Sequence, residues 1–347
     1  YRNLREFAEM GMTRRIDEDT TLASLHGNAQ WDAVMARIAG NGATMGNAAR
    51  AFAMPDSDMI AEDIVYDARG RRFFISSVRH GTILSATPSG AVTTFARPVA
   101  AGWGMMALAV DPTRSVLWAT TEAVPQSIGY TKSAGGRSAV LSYDLNSGKL
   151  LQRYDLPSTE NHGAGDIAIA SNGDLIVSDG TTGSIYVIRQ GKSLDLLVKP
   201  GEFRSPQGPA VSPDGTHFYV ADYTRGLARV DRTSGQVTWL AHPSNVALNG
   251  IDGLTLVDAR TLIAIQNGVA PNRLLMITLD PTGSRVTGAK VAIQDADLLH
   301  DPTHGVFIGS DYYFIANGGY GAFGDDGKVA EGEKVVAPVI ARVPNMR

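Results

Sequence analysis

Hydrophobic and polar residues alternate with a period of two along most of the chain, in short runs separated by turn residues. The first four runs are Asp63–Asp67, Arg72–Ser77, Thr82–Ala86 and Val92–Phe95, and each gap between them contains a glycine. Alternation at this period is typical of half-buried β-strands, and glycine-containing gaps are typical of hairpin turns. The pattern therefore predicts a four-stranded antiparallel unit.

This unit recurs along the chain at a period of roughly 40–50 residues, which is the spacing of propeller blades. We therefore predict an all-β fold, a six-bladed β-propeller with a short α-helical N-terminal extension. Equivalent positions of a closed ring converge on its axis, so the first residue of each unit is a candidate for the channel. These residues are Glu62, Met106, Gly165, Gln207, Asp252 and His304.

The last blade lacks a strand in the sequence. Ala337–Val343 is its third strand, and the chain ends soon afterwards. An open ring would expose unpaired strand edges, so another segment must complete the blade. We predict that Asn47–Met54 supplies the outermost strand beside Ala337–Val343.

The N-terminal segment has a different pattern. Apolar residues from Leu22 to Ile38 recur at helical spacing and stop at Gly40, which predicts two or three short helices with the preceding residues. The stretch from Leu22 to Val34 resembles the tail that follows tetratricopeptide repeats, which cannot bury its apolar face alone. We assign 1–46 to a docked helical extension and 47–347 to the propeller.

The composition of the chain limits the kinds of molecule that we expect it to bind. The chain has 347 residues, 44% of them hydrophobic, 38 glycines, a net charge of −4 and no cysteine. It has no basic run and no long apolar run, so we expect a small-molecule substrate, no nucleic acid and no membrane span. The chain begins at Tyr1, so no targeting signal can be identified. The compartment and the oligomeric state stay open, although a periplasmic or secreted location is favoured.

An ordered set of motifs resembles the SMP-30/gluconolactonase-like family of six-bladed propellers. The motifs are Ser205–Gly208, Ser212–Gly215, Phe218–Asp222, Gly250–Leu254 and Glu62 in its blade-opening context. The resemblance covers about residues 55–345. It implies a lactonase or esterase-like hydrolase that holds one divalent cation, often calcium, in the channel.

The resemblance also implies a metal site. Glu62 and Asp252 match the family's acidic ligands, whereas Gln207 and Gly165 stand where asparagines are expected. Calcium prefers carboxylate and amide oxygens, so Glu62, Gln207 and Asp252 are the candidate ligands for Ca²⁺. The alternative is that the two carboxylates lie in a metal-free, solvated channel.

Three residues are candidates for acid–base catalysis. By register His162 and His304 open onto the channel face, and an imidazole can act as a general base near neutral pH. Either histidine could instead form a structural pair with a carboxylate. Asp166 is the third candidate. It would face a neighbouring blade if Gly165 faces the channel, unless the strand begins one residue later.

Four further residues are candidates for substrate binding. Met106 holds a channel position, and the amides of Gln266, Asn267 and Asn317 end second strands, where they bind substrate or cap turns. The sequence thus predicts a lactonase- or esterase-type hydrolase acting on a small cyclic ester or related carbonyl compound. The alternative is a non-catalytic propeller that binds a ligand or a protein.

Overall fold

Six four-stranded antiparallel sheets form a closed ring in the computed structural model, which describes residues 1–295 and 297–347. The first strand of each blade contacts the first strand of the next, and the first strand of blade 6 contacts that of blade 1. The predicted six-bladed propeller is confirmed.

The strands follow the chain in blade order, four to a blade. Blade 1 comprises β2 (Ala61–Asp67), β3 (Arg72–Ser77), β4 (Thr82–Ala86) and β5 (Val92–Ala96). Blade 2 comprises β6 (Trp103–Asp111), β7 (Val116–Ala123), β8 (Ser138–Asp144) and β9 (Leu150–Asp155). Blade 3 comprises β10 (Ala164–Ile169), β11 (Leu175–Asp179), β12 (Ser184–Ile188) and β13 (Leu194–Val198).

The other three blades repeat this order, except that the last blade borrows a strand. Blade 4 comprises β14 (Pro206–Val211), β15 (His217–Asp222), β16 (Gly226–Asp231) and β17 (Val237–Trp239). Blade 5 comprises β18 (Ile251–Asp258), β19 (Thr261–Gln266), β20 (Arg273–Leu279) and β21 (Val286–Ile293). Blade 6 comprises β22 (Gly305–Ile308), β23 (Asp311–Ile315), β24 (Val339–Val343) and β1 (Ala49–Ala53).

The borrowed strand closes the ring as predicted. β1 pairs antiparallel with β24, and Phe52 lies opposite Ile340. Phe52 is buried against Phe73 of blade 1, with ring centroids 5.7 Å apart. The strand from the N-terminal side therefore covers an edge that the C-terminal blade would otherwise expose.

The N-terminal segment forms α1 (Arg2–Glu9), a 3-10 helix (Thr20–Leu25) and α2 (Ala29–Gly40). The side chain of Asn28 caps α2 by accepting from the backbone amides of Gln30 and Trp31. A small apolar core of their own holds these helices together. No helix among the described residues is long and apolar enough to span a membrane.

Polar contacts dock this helical segment on the propeller. The guanidinium of Arg273, on β20, donates to the carbonyls of Met10 and Gly11 at the end of α1. The Gln294 amide donates to the carbonyls of Asn41 and Ala43, at 2.7 Å in both cases. A cation at a helix C-terminus is favourable, because the last carbonyls there lack intrahelical partners.

Candidate functional site

A cavity of about 380 Å³ lies where the blades converge. We call it the chamber. Five of the six blade-opening residues line it, and the sixth, His304, lies beside two of them. The lining residues are Glu62, Met106, Glu122, Gly163, Gly165, Gly180, Thr181, Ser205, Gln207, Tyr223, Asp252, Asn267, Asp301, Thr303 and Tyr320. A larger cavity, of about 750 Å³, lies at the seam between the helical segment and blade 5 and shares no lining residue with the chamber.

Bulges in the first strands shape the chamber. The pairing register shifts near the channel end of β2, β6, β10, β14 and β18. A bulge sets two residues against one on the partner strand and re-aims a side chain. In β10 the shift lies between Ala164 and Asp166, and Asp166 points at His304. The alternation that would have turned Asp166 toward a neighbouring blade is broken at this point.

Two carboxylates and one imidazole form the centre of the site. Glu62, Asp252 and His304 each offer a ligand atom within 4.8 Å of the other two. Oε2 of Glu62 is buried and has no hydrogen-bond partner among the described residues. Asn267 donates to Oδ2 of Asp252 at 2.7 Å, which fixes the orientation of that carboxylate. Carboxylate oxygens that converge without enough donors are what a hard cation requires.

The chamber carries an excess of acidic groups. Glu62, Glu122, Asp252 and Asp301 line it, and no Lys or Arg does so among the residues that the structure describes. Burial, followed by the charge of Asp252, raises the pKa of Glu62 well above its ordinary value. Burial also raises the pKa of Asp252, to about 6. A divalent cation would relieve the mutual repulsion of these carboxylates, so the residues present fit a metal ion.

His304 is the basic group of this cluster. Its Nε2 lies 2.9 Å from Oδ1 of Asp166, close enough for an ion pair but without the alignment of a good hydrogen bond, and its Nδ1 lies 3.8 Å from Oδ1 of Asp63. Burial lowers the pKa of His304, but Asp166 and Asp63 outweigh burial and raise it well above the ordinary value. This shift favours the protonated imidazole, which donates a proton rather than accepting one, and so argues against the predicted role of His304 as a general base.

The sequence predicts that His162 opens onto the channel face, but in the structure it does not line the chamber. Its Nδ1 lies 2.6 Å from Oδ2 of Asp179, and its ring packs edge-on against Tyr186. Asp179 also accepts from the backbone amides of Gly163 and Thr181, so it organises the turn at the end of β11. This placement supports the structural alternative for His162, a pair with a carboxylate, rather than a catalytic role.

The other amide and channel candidates separate into two groups. Met106, Gln207 and Asn267 line the chamber, and the Gln207 amide donates to Oγ of Ser205. Gln266 is fully buried, and its amide donates to the carbonyls of Ala247 and Asn249. Its oxygen accepts from Arg273, so all of these contacts support the alternative that Gln266 caps neighbouring segments rather than binding substrate. Asn317 lines a separate cavity, together with residues of the last insertion, and not the chamber.

Sequence reasoning missed Glu122 and Tyr223, which line the chamber from second strands. In blade 5 the residue after the second strand is Asn267, a predicted site residue. Pairing of Met105 with Thr121 in blade 2 puts Glu122 at the corresponding position, and Tyr223 follows β15 in the same way. The register of the second strands could therefore have identified both residues. Our prediction considered only the amide side chains at the ends of these strands.

Two long insertions, 124–137 between β7 and β8 of blade 2 and 316–338 between β23 and β24 of blade 6, meet at Arg79. Arg79 of blade 1 donates to the carbonyls of Gln126 and Gly327, one in each insertion, and its guanidinium lies 4.5 Å from the ring of Phe323. The second insertion brings Tyr320 into the chamber lining. The insertion of blade 6 therefore builds part of the chamber wall, and Arg79 links it to the insertion of blade 2.

Solved structures with the same fold include several enzymes and a calcium-binding protein. A gluconolactonase from Xanthomonas campestris is 14% identical, over 86% of this chain and 89% of that one, with a TM-score of 0.58. Regucalcin from Agrobacterium tumefaciens, a calcium-binding protein, is 18% identical, over 88% and 96%, with a TM-score of 0.57. A streptogramin B lyase is 16% identical, over 85% and 96%, with a TM-score of 0.57.

These likenesses confirm the sequence-based resemblance at the level of the fold. Identities of 14–18% leave the activity open, since one fold hosts many functions. No protein-family model and no curated protein matches the sequence. Function must therefore be argued from the chamber itself.

Proposed function

We propose that the protein is a metal-assisted hydrolase of the lactonase type, acting on a small cyclic ester or related carbonyl compound in the chamber. The observation that carries the proposal is the composition of the chamber wall. Carboxyl groups of half-buried residues converge there with a single imidazole, and no Lys or Arg lines the chamber in the described part of the chain. Such a wall attracts a divalent cation and disfavours an anionic substrate.

Glu62 and Asp252 would hold the cation, and the amide oxygen of Gln207 is the third candidate ligand. His304 could replace it only after losing its proton. When bound, the cation supplies a Lewis acid that polarises a carbonyl oxygen. Asn267 keeps Asp252 in place through its 2.7 Å hydrogen bond.

The remaining residues of the chamber suit a small polar ligand. A volume of about 380 Å³ lies in the range of small-molecule sites. The protonated imidazole of His304 places positive charge beside the cation ligands, where negative charge would develop on a carbonyl oxygen. The polar wall also argues against a non-catalytic scaffold, for which an axis filled with apolar side chains would be expected.

The proposal is tested by pH-stat assays on a panel of γ- and δ-lactones, before and after EDTA treatment and with calcium or manganese added back. We expect hydrolysis that EDTA abolishes and the cation restores. Glu62→Gln keeps the shape of the side chain and should lower kcat/KM by at least about 100-fold. Glu160→Gln, at an exposed loop position, is the matched control.

Wild-type protein that hydrolyses no lactone of the panel would contradict the proposal. Activity that survives in Glu62→Gln would contradict the assignment of the cation site.

A further inference from the structure

Glu122 lies apart from the proposed cation ligands. Those ligands come from blades 1, 4 and 5, whereas Glu122 is the last residue but one of β7 of blade 2 and reaches toward blade 3. A Cβ atom built on Gly163 would lie 2.9 Å from Oε2 of Glu122 and 2.6 Å from Oγ1 of Thr181. The carboxyl group therefore occupies the space that the absent side chain of Gly163 leaves, at the chamber wall.

Three other acidic groups around the chamber already have partners. Asp166 is paired with His304. Asp63 accepts from the backbone amides of Ile64 and Leu108. Asp301 accepts from the amide of Gly321, in the last insertion.

The carboxyl group of Glu122, which lines the chamber, takes part in no hydrogen bond and no ion pair among the described residues. It is thus the chamber carboxyl group that no structural contact or proposed metal site uses. The charged and titratable groups that act on it are Asp179 and Asp166, and it in turn acts on Tyr320.

We propose that Glu122 is the catalytic proton-transfer residue of this chamber, an inference that rests on the proposed hydrolase function. Its carboxylate accepts a proton from water as the water oxygen bonds to the carbonyl carbon of the ester. The bond between that carbon and the ring oxygen then breaks, and Glu122 returns the proton to the ring oxygen. One water is consumed, one hydroxy acid forms, and the carboxylate is regenerated.

The environment of Glu122 suits both halves of this cycle. Burial, followed by the charges of Asp179 and Asp166, raises the pKa of Glu122 to about 7. A group that titrates near the working pH is present in both protonation states and can accept and donate. His304, the other candidate, already lies between two carboxylates, with its Nε2 2.9 Å from Oδ1 of Asp166 and its Nδ1 3.8 Å from Oδ1 of Asp63.

Kinetics against pH, combined with calorimetric cation binding, test the inference. In the wild-type protein kcat/KM for lactone hydrolysis should rise through an ionisation near neutral pH. Glu122→Gln should remove this limb and lower kcat by roughly 100- to 10,000-fold. Its calcium affinity should stay within about threefold of wild type, because Glu122 is not a proposed ligand. Glu122→Asp should keep the limb at a reduced rate.

A second variant tests the position of the Glu122 carboxyl group without changing its charge. Gly163→Ala should displace the Glu122 carboxyl group, lower kcat and leave calcium binding intact, because its added Cβ meets Oε2 at 2.9 Å. An unchanged pH profile in Glu122→Gln would overturn the inference, as would a large loss of calcium affinity. Inactive wild-type protein would overturn the hydrolase function and this inference together, whereas active wild-type protein with an equally active Glu122→Gln variant would overturn this inference alone.

Discussion

Several carboxyl groups of the chamber have raised pKa values, so they stay protonated at a higher pH than carboxyl groups usually do. Burial is the largest cause of the raised pKa values of Glu62, Glu122 and Asp252. Folding therefore favours the protonated form of each group. In the metal-free protein this lowers the free energy of unfolding at any pH at which the same groups are ionised in the unfolded chain. A bound cation would reverse the effect at Glu62 and Asp252.

This predicts a pH dependence of stability in the metal-free protein. The pKa of Glu122 rises from 4.5 to about 7 on folding, so between these values the unfolded state releases a proton that the folded state keeps. The free energy of unfolding should therefore fall as pH rises from 4.5 to 7, and Glu122 should contribute up to about 3 kcal/mol to this fall. Urea denaturation of Glu122→Gln in EDTA should show a shallower decline. A decline as steep as that of wild type would contradict the raised pKa.

Individual site residues were predictable where repeat register alone decides their position. Glu62, Gln207 and Asp252 open their blades and line the chamber as expected. Asp63 was not predicted, because period-two alternation turns it away from the axis and only a bulge brings it near His304. The protonated state of His304 likewise depends on carboxylates from blades 1 and 3, whose distances no sequence pattern gives.

Gly165 stands where an asparagine is expected in the family that the sequence resembles. It lines the chamber, and a Cβ built there would meet no atom closer than 4.0 Å. The missing side chain therefore leaves open space in the wall rather than a filled gap.

Among the elements, β1 completes the last blade of the ring. The sequence predicted its pairing with β24 because an incomplete last blade would leave an exposed edge. The bulges of the first strands were not predicted, since a single extra residue leaves the hydrophobic pattern of a short strand almost unchanged. The fold was therefore easier to predict than the fine aim of the side chains on it.

The closure can be tested at Phe52, which is buried between blades 6 and 1. Phe52→Ala should lower the free energy of unfolding by roughly 3–5 kcal/mol, because it leaves a cavity in the seam. Arg50→Ala, at an exposed position of the same strand, should change it by less than about 0.5 kcal/mol. Equal effects of the two substitutions in urea denaturation would show that the β1 seam is not needed for stability.

At the scale of the whole molecule, ring closure creates the chemistry. Blades 1, 3, 5 and 6 each bring an ionisable residue to one small volume, although these residues are far apart in the chain. Arg79 then links the insertions of blades 2 and 6, and the latter brings Tyr320 into the chamber wall. Our central claim is that the resulting chamber binds one divalent cation through Glu62 and Asp252.

Isothermal titration of calcium into EDTA-treated protein tests this claim most directly. We predict a single binding site with a stoichiometry of about one calcium ion per chain. Glu62→Gln should abolish this binding, because it removes one of only two full ligand charges. Folded wild-type protein that binds none of calcium, magnesium, manganese and zinc at roughly millimolar concentration would contradict the claim.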